Sequence, residues 1–534
     1  MKKAQVTLHP SYRIGEISPR LFGAFLEPIG TMVDGSMYNP KHPTADAQGM
    51  RTDMIEGLRS AGLPAVRLPG GNFVSGWNWK DSIGPMAQRK TNLDLAWHQY
   101  VPNDVGHDEY LQWAEKVGAE AMYTINLGTG TINDARDIVE YTNFEKGTYW
   151  SDLRKTYGHA APYGVKTWYL GNEMDGPWQV ASWEKNPTGY GILAHEASKV
   201  MKFVDPTIET IACASSSPFL SHYPEWDRHV LEECYDVVDM ISLHHYHSAP
   251  IGNIPALLAG YKAFDSYINT EIALCDYIKT HRRSSKTMML SLDEYGCMMR
   301  PEGKTHLGRN GRMPATSFFD FDPAQKYVRH DPDDWSSHRN MPPMGDMVGA
   351  LGTGSVLLTL LRHADRIRIG CATGGLSDLC ATSREHVWKR ASYYPFTDMI
   401  RLARGTSLEV VVSCEQYDVE GYAIDDMNQY EGFEHVDSLQ CAAALSPEED
   451  VLTVFLLNAD CGDVQDVRLD VCGFEGFVLE KHTALFSADP MARNTYENPQ
   501  AVIPHVVPDT RCEQGICTVV LPPLSWNVFQ FRKA

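Results

Sequence analysis

Trp168-Tyr169-Leu170-Gly171-Asn172-Glu173-Met174-Asp175-Gly176-Pro177-Trp178 passes from an apolar triplet into a polar loop. The apolar triplet reads as the end of a buried strand, and Glu173 falls where that strand stops and a loop begins. More than a hundred residues later, Met288-Met289-Leu290-Ser291-Leu292-Asp293-Glu294-Tyr295-Gly296 repeats the pattern: an apolar run, a Glu, then a Gly. A carboxylate at the end of a buried strand costs several kcal/mol to desolvate unless it is paired or used. Two of them point to chemistry more than to packing.

Working outward from these two runs, a rhythm of strand, polar turn and helix begins near Arg20. Strands are expected at 20–27, 65–69, 120–127, 166–172, 209–214, 239–246, 288–293 and 366–371. Helices are expected at 49–61, 107–117, 132–144, 188–204, 224–234, 254–281 and 344–362. In Asp108–Val117, Leu111, Ala114 and Val117 share a face and Gly118 stops the helix. Eight strands alternating with helices is the count of an α/β chain folded as a (β/α)8 TIM barrel. An open doubly wound sheet competes with it, but the chain has neither a Gly-rich dinucleotide fingerprint nor a P-loop. After about residue 390 helical periodicity fades, and Val451–Leu457, Val467–Val471, Val519–Leu521 and Trp526–Phe531 read as strands. The expected organisation is an N-terminal strand (1–17) that joins the β domain, a catalytic barrel (18–390) and a C-terminal all-β sandwich (391–534).

Composition narrows the partners. The 534 residues carry a formal net charge of −21, and 10% are aromatic. An acidic surface disfavours nucleic acid and anionic membrane, and suits a neutral, flat-faced ligand such as a sugar. Met1-Lys2-Lys3-Ala4-Gln5-Val6 is not followed by the apolar core of a signal peptide, so a cytoplasmic location is expected. No apolar run is long enough to span a bilayer. The 12 cysteines include no CxxC pair, so neither a zinc site nor a disulfide framework is suggested. Cys512 and Cys517 are placed to bridge a hairpin, but a reduced pair is expected in the cytosol.

In a barrel, polar residues at the C-terminal ends of strands face the mouth. Five strands deliver them here: Glu27; Arg67 and Asn72; Asn172 and Glu173; His244 and Tyr246; Glu294. Any one alone is as well explained by a salt bridge or a strand cap, but five on one rim favour a shared site. Two carboxylates in one pocket suit glycoside hydrolysis, one as the acid and one as the nucleophile. Sequence position does not say which Glu is which. His244-His245-Tyr246-His247 suggests a metal, yet strand alternation turns His245 and His247 away from His244, so no metal is expected. Gly70-Gly71 and Gly128-Thr129-Gly130 read as tight turns rather than phosphate cradles. Trp77, Trp79 and Trp97 are candidate sugar platforms or core residues.

At these residues the sequence resembles glycoside hydrolase family 51, the α-L-arabinofuranosidases, over nearly its whole length. The resemblance is carried by Ile17-Ser18-Pro19-Arg20-Leu21-Phe22-Gly23 leading to Glu27, Arg67–Gly76, Leu93–Trp97 and Asn126–Gly130. It continues through Gly171–Gln179, Ile241–His244 with Tyr246, and Asp293-Glu294. It implies a barrel with a C-terminal jelly-roll-like β-sandwich and a retaining mechanism with no cofactor. It also implies an intracellular homo-oligomer, often a hexamer. It assigns Glu173 as acid/base and Glu294 as nucleophile. Glu27, Arg67, Asn72, Asn172, His244 and Tyr246 would shape the sugar subsite, with Trp97 near the leaving group. The resemblance implies exo-acting release of terminal α-L-arabinofuranose from plant oligosaccharides.

The sequence departs from the family twice. Met298 stands where an aromatic usually lines the sugar, and Gly374 where a Gln usually contacts it. The stretch from Cys297 to Pro343, with Phe318, Phe319, Phe321, Tyr327 and Trp335, is long enough to be functional and is expected on the rim. These differences leave other sugars open: a β-D-galactofuranoside, another pentofuranoside or a β-glycan. A non-catalytic sugar-binding protein and a metal-dependent hydrolase are the readings of other classes.

Overall fold

In a computed structural model, residues 1–302, 326–337, 345–425, 428–508 and 510–534 are described. Strand β1 (Lys2–Glu16) precedes eight parallel strands. These are β2 (Gly23–Phe25), β3 (Ala65–Leu68), β4 (Glu120–Ile125), β5 (Thr167–Leu170), β6 (Glu209–Cys213), β7 (Met240–Pro250), β8 (Met289–Arg300) and β9 (Ile367–Ala372). They close in the order β8-β9-β2-β3-β4-β5-β6-β7. The (β/α)8 expectation is met and the open sheet is not. The expected helices are present, with 254–281 broken into Ile254–Leu258 and Tyr261–His281. His107–Val117 buries Tyr110, Leu111, Trp113, Ala114 and Val117 and ends on Gly118 at φ +83°, a left-handed conformation that glycine adopts without strain.

The barrel interior is a packed layer that includes Phe25, Ala65, Met122, Tyr169, Ile211, Met240, Ile369 and Cys371. The Arg67 guanidinium lies 5.1 Å from the Phe25 ring and 4.9 Å from the Tyr169 ring, so this layer is the floor of the barrel mouth. Strands β7 and β8 run farther than their sequences suggest. They stay paired from Gly296↔Tyr246 to Arg300↔Pro250, above the rim. Glycine, cysteine and histidine in these extensions hide the alternation that marks a half-buried strand.

The C-terminal region forms a ten-stranded sheet in which β1 pairs antiparallel with Thr406–Ser413 and parallel with Gln465–Asp470. Strands from both halves of that sheet enclose one apolar cluster, including Val6, Leu456, Val467, Val519, Phe529 and Phe531. The sheet therefore folds on itself as a sandwich. A hairpin, Gln416–Asp425 with Asn428–Asp437, leaves it and packs on β7, where Tyr430 hydrogen-bonds His247 at 2.9 Å. Cys512 and Cys517 sit opposite each other across an edge hairpin with Cα atoms 4.0 Å apart, joined as a disulfide. This corrects the expected reduced pair: direct cross-strand opposition brings the two sulfurs together. Among the described residues no helix is long and apolar enough to cross a membrane.

Candidate active site

The site begins with two backbone irregularities. Gly171 takes φ +97° and Glu173 takes φ +45° as the chain leaves β5. The turn aims Glu173 back over the mouth and costs on the order of 1 kcal/mol at a non-glycine residue. On β8, Leu292 pairs with Leu243 and Glu294 with His244, so Asp293 is an extra residue in the ladder. This bulge lets neighbours that would point to opposite faces of a regular strand turn toward the same partners.

Those partners are Arg67 and His244. Arg67 donates through Nη1 to Glu294 Oε1 and through Nη2 to Asn172 Oδ1, each at 2.7 Å, and its Nε lies 2.9 Å from Asp293 Oδ2. His244 places Nδ1 3.0 Å from Glu173 Oε1 and Nε2 3.2 Å from Asp293 Oδ2. The Tyr246 hydroxyl donates to Glu294 Oε2 at 2.6 Å and lies 2.8 Å from Thr373 Oγ1. The Trp178 indole donates to Glu173 Oε2 at 2.5 Å. Ligand atoms of Glu173, His244 and Glu294 all lie within 4.8 Å of one another.

With this geometry in view, the relatives are informative. The family models described as the α-L-arabinofuranosidase 1 domain and the α-L-arabinofuranosidase C-terminal domain match residues 57–269 and 324–525. The chain is 38% identical over 539 residues to the intracellular exo-α-(1→5)-L-arabinofuranosidase 1 of Bacillus subtilis, covering 100% of both chains. Its fold superposes on a family 51 α-L-arabinofuranosidase from Bifidobacterium longum with a TM-score of 0.85, at 28% identity and with 100% of each chain covered. The chain belongs to glycoside hydrolase family 51. A further relative, the intracellular exo-α-(1→5)-L-arabinofuranosidase of Halalkalibacterium halodurans, is 36% identical over 537 residues, with 99% of each chain covered.

In this family 51 glycoside hydrolase the nine residues singled out in the sequence converge on one network. Asn72 Oδ1 accepts from Asn172 Nδ2 at 2.9 Å and from Gln179 Nε2 at 2.8 Å. Glu27 Oε1 accepts the Gly71 and Phe73 amides, each at 3.0 Å, and the Trp97 indole is near enough to this carboxylate to lower its pKa. Trp77 and Trp79 are buried in the core instead, with the Trp77 indole donating to Asn103. Phe318, Phe319 and Phe321 lie outside the described residues. Tyr327 packs on His98 and Tyr100, and Val328 exchanges backbone hydrogen bonds with His98 and Tyr100. That segment borders the rim beside Trp97.

Asp293, Trp178, Gln179 and Thr373 complete the network and were not among the residues expected to act. Asp293 stands directly before Glu294, which is its only signal in the sequence. Its inward turn depends on the bulge.

Electrostatics separates the acids. Burial and then the charge of Glu294 raise the Glu173 pKa, against the pull of His244. Burial and Glu294 push Glu27 up to about 8. Burial raises the Asp293 pKa, but Arg67 and His244 outweigh it and hold Asp293 below the usual range. Burial lowers the His244 pKa, but Glu294, Asp293 and Glu173 together raise it to about 10. Glu173, His244 and Glu294 could each offer a metal ligand. However, Arg67 already sets a permanent cation against Glu294, and the raised His244 pKa keeps protons on the ring. The donor set favours proton transfer over metal binding.

Proposed function

We propose that this glycoside hydrolase releases terminal α-L-arabinofuranose from plant-derived oligosaccharides by a retaining double displacement. Glu294 attacks the anomeric carbon while Glu173 protonates the leaving oxygen. Glu173 then takes a proton from the water that frees the sugar. The observation that carries this reading is the approach of Glu173 and Glu294, with oxygens within 4.8 Å. A retaining pair stands about 5–5.5 Å apart, whereas an inverting pair needs about 6.5–9.5 Å to admit a water.

The electrostatics supports the same roles. Arg67 and Tyr246 both donate to Glu294 and hold its two oxygens in place. The charge of Glu294 helps hold the proton on Glu173. Once Glu294 is esterified that charge is gone, the Glu173 pKa falls, and the acid becomes a base. The relatives named exo-α-(1→5)-L-arabinofuranosidase support the sugar and the exo preference, and their description as intracellular supports a cytoplasmic location. The family resemblance supports a homo-oligomer, with a hexamer as the expected form.

The test is hydrolysis of 4-nitrophenyl α-L-arabinofuranoside beside the β-D-galactofuranoside and β-D-xyloside, with the product anomer followed by NMR. The arabinofuranoside is expected to be preferred, with the α anomer released first. Glu294→Gln is expected to lower kcat on the order of 10⁴-fold or more. Initial release of the β anomer would overturn the mechanism, and preference for another glycoside would overturn the substrate.

A further inference from the structure

Beside Tyr246, at the rim between β8 and β9, lies a cavity of about 380 Å3. It lies between the outer end of β8, the start of helix Met347–Arg362, the end of β9 and the segment around Met491 and Arg493. It shares a wall with the catalytic network. A Cβ added at Gly296 would lie 3.2 Å from the Tyr246 ring and 3.6 Å from the Met298 methyl. Thr373, which bonds the Tyr246 hydroxyl, is flanked by Ala372 and Gly374, and both line the cavity. Met298, Met299 and Met491 supply much of its apolar wall, and Arg300, Asp346, Asp378 and Arg493 its charged groups.

Position decides which part of a substrate can reach it. Glu173 follows β5, and β9 lies four strands away around the closed barrel, on the opposite side. The group that leaves with a proton from Glu173 departs on the β5 side. A group that enters the cavity therefore belongs to the sugar retained on Glu294. The exocyclic C5 hydroxyl of a furanose reaches farthest from the ring. Three methionines offer flexible, polarizable surface that adapts to a flat apolar group and favours sulfur–aromatic contact.

We propose that this cavity receives an aromatic acyl ester carried on C5 of the retained furanose, so that the enzyme releases acylated as well as free sugar. The inference rests on the arabinofuranosidase reading above. The ester is bound and not cleaved. The glycosidic C–O bond breaks, water supplies the hydroxyl to C1, and its remaining proton returns to Glu173.

The experiment compares kcat/KM for 4-nitrophenyl α-L-arabinofuranoside and its 5-O-benzoyl derivative. It uses the parent enzyme and Thr353→Phe, a substitution on a cavity-lining helix residue. Met491→Trp, at a position 48% exposed on the cavity edge, serves as the second filling variant should the first not fold. The parent is expected to cleave the benzoylated glycoside within about 10-fold of the free one. Filling the cavity should lower the benzoylated rate about 10-fold or more and leave the free-sugar rate within about twofold. Cleavage of the free glycoside alone, or an equal response of both substrates to filling, would overturn the proposal. Turnover of neither substrate by folded enzyme would bring down the arabinofuranosidase reading itself, and this inference with it.

Discussion

Glu27 shows how a single buried side chain ties the carboxylate network to stability. It is 5% exposed and accepts two backbone amides, yet burial and Glu294 raise its pKa to about 8. A carboxyl whose pKa is higher in the folded state stabilises the fold below its unfolded value. That contribution fades as pH rises through the folded value. For Glu27 the window runs from the ordinary value of 4.5 to about 8. Glu27→Gln keeps an oxygen for the Gly71 and Phe73 amides and removes the titration. The stability of the variant relative to the parent is therefore expected to rise between pH 5 and pH 8, by a few kcal/mol, an amount on the order of the linkage limit. Denaturant midpoints at the two pH values check this, and a pH-independent difference would refute it. The identity of Glu27 was legible as a polar residue at a strand end. Its protonation was not, because that depends on the distance to Glu294 and on the depth of burial.

At the scale of the element, the turn after β3 decides whether the site can assemble. A Cβ built on Gly71 would lie 2.7 Å from Glu294 Oε1 and 3.3 Å from Asn172 Nδ2. Gly71 is not left-handed, at φ −101°, so crowding by Glu294 is the reason for glycine that the substitution tests. Gly71→Ala should push Glu294 away from Arg67. Displacement of a reacting group by about 1 Å costs on the order of 10²-fold in rate, so kcat/KM is expected to fall by about that factor. Far-UV circular dichroism is expected to stay unchanged. Activity within about twofold of the parent would show that the turn relaxes freely. The sequence marks Gly70-Gly71 as a tight turn but not its reason, since Glu294 comes from a strand more than two hundred residues away. The bulge at Asp293 was hidden in the same way. Leu292-Asp293-Glu294 reads as ordinary strand, and only pairing with β7 exposes the extra residue.

Across the whole molecule, barrel and sandwich share apolar core. The cluster holding Leu58, Trp113 and Leu360 of the barrel also contains Ala442, Phe455, Leu457, Trp526 and Val528 of the sheet. Trp526 donates to Asp398 at 3.0 Å, and a Cβ on Gly354 would lie 3.0 Å from its ring. Trp526→Ala is expected to destabilise the protein by about 3–5 kcal/mol, the scale of deleting a buried Trp. Calorimetry of the parent should show both regions melting in one transition, because neither can expose this shared surface alone. Two separated transitions would contradict that coupling.

The amino-acid order by itself determined the eight-strand rhythm, the change to β structure after the barrel and the two glutamates at strand ends. Each of these is written in local periodicity and in residues that are costly to bury without use. Tertiary structure decided the rest. It set the raised pKa values, the inward turn of Asp293, the disulfide at the sheet edge, the place of β1 within the C-terminal sheet and the cavity beside Tyr246. The physical reason is the same for all of them. Each depends on distances between groups far apart in the chain, and those distances exist only once the barrel closes and the sheet folds against it.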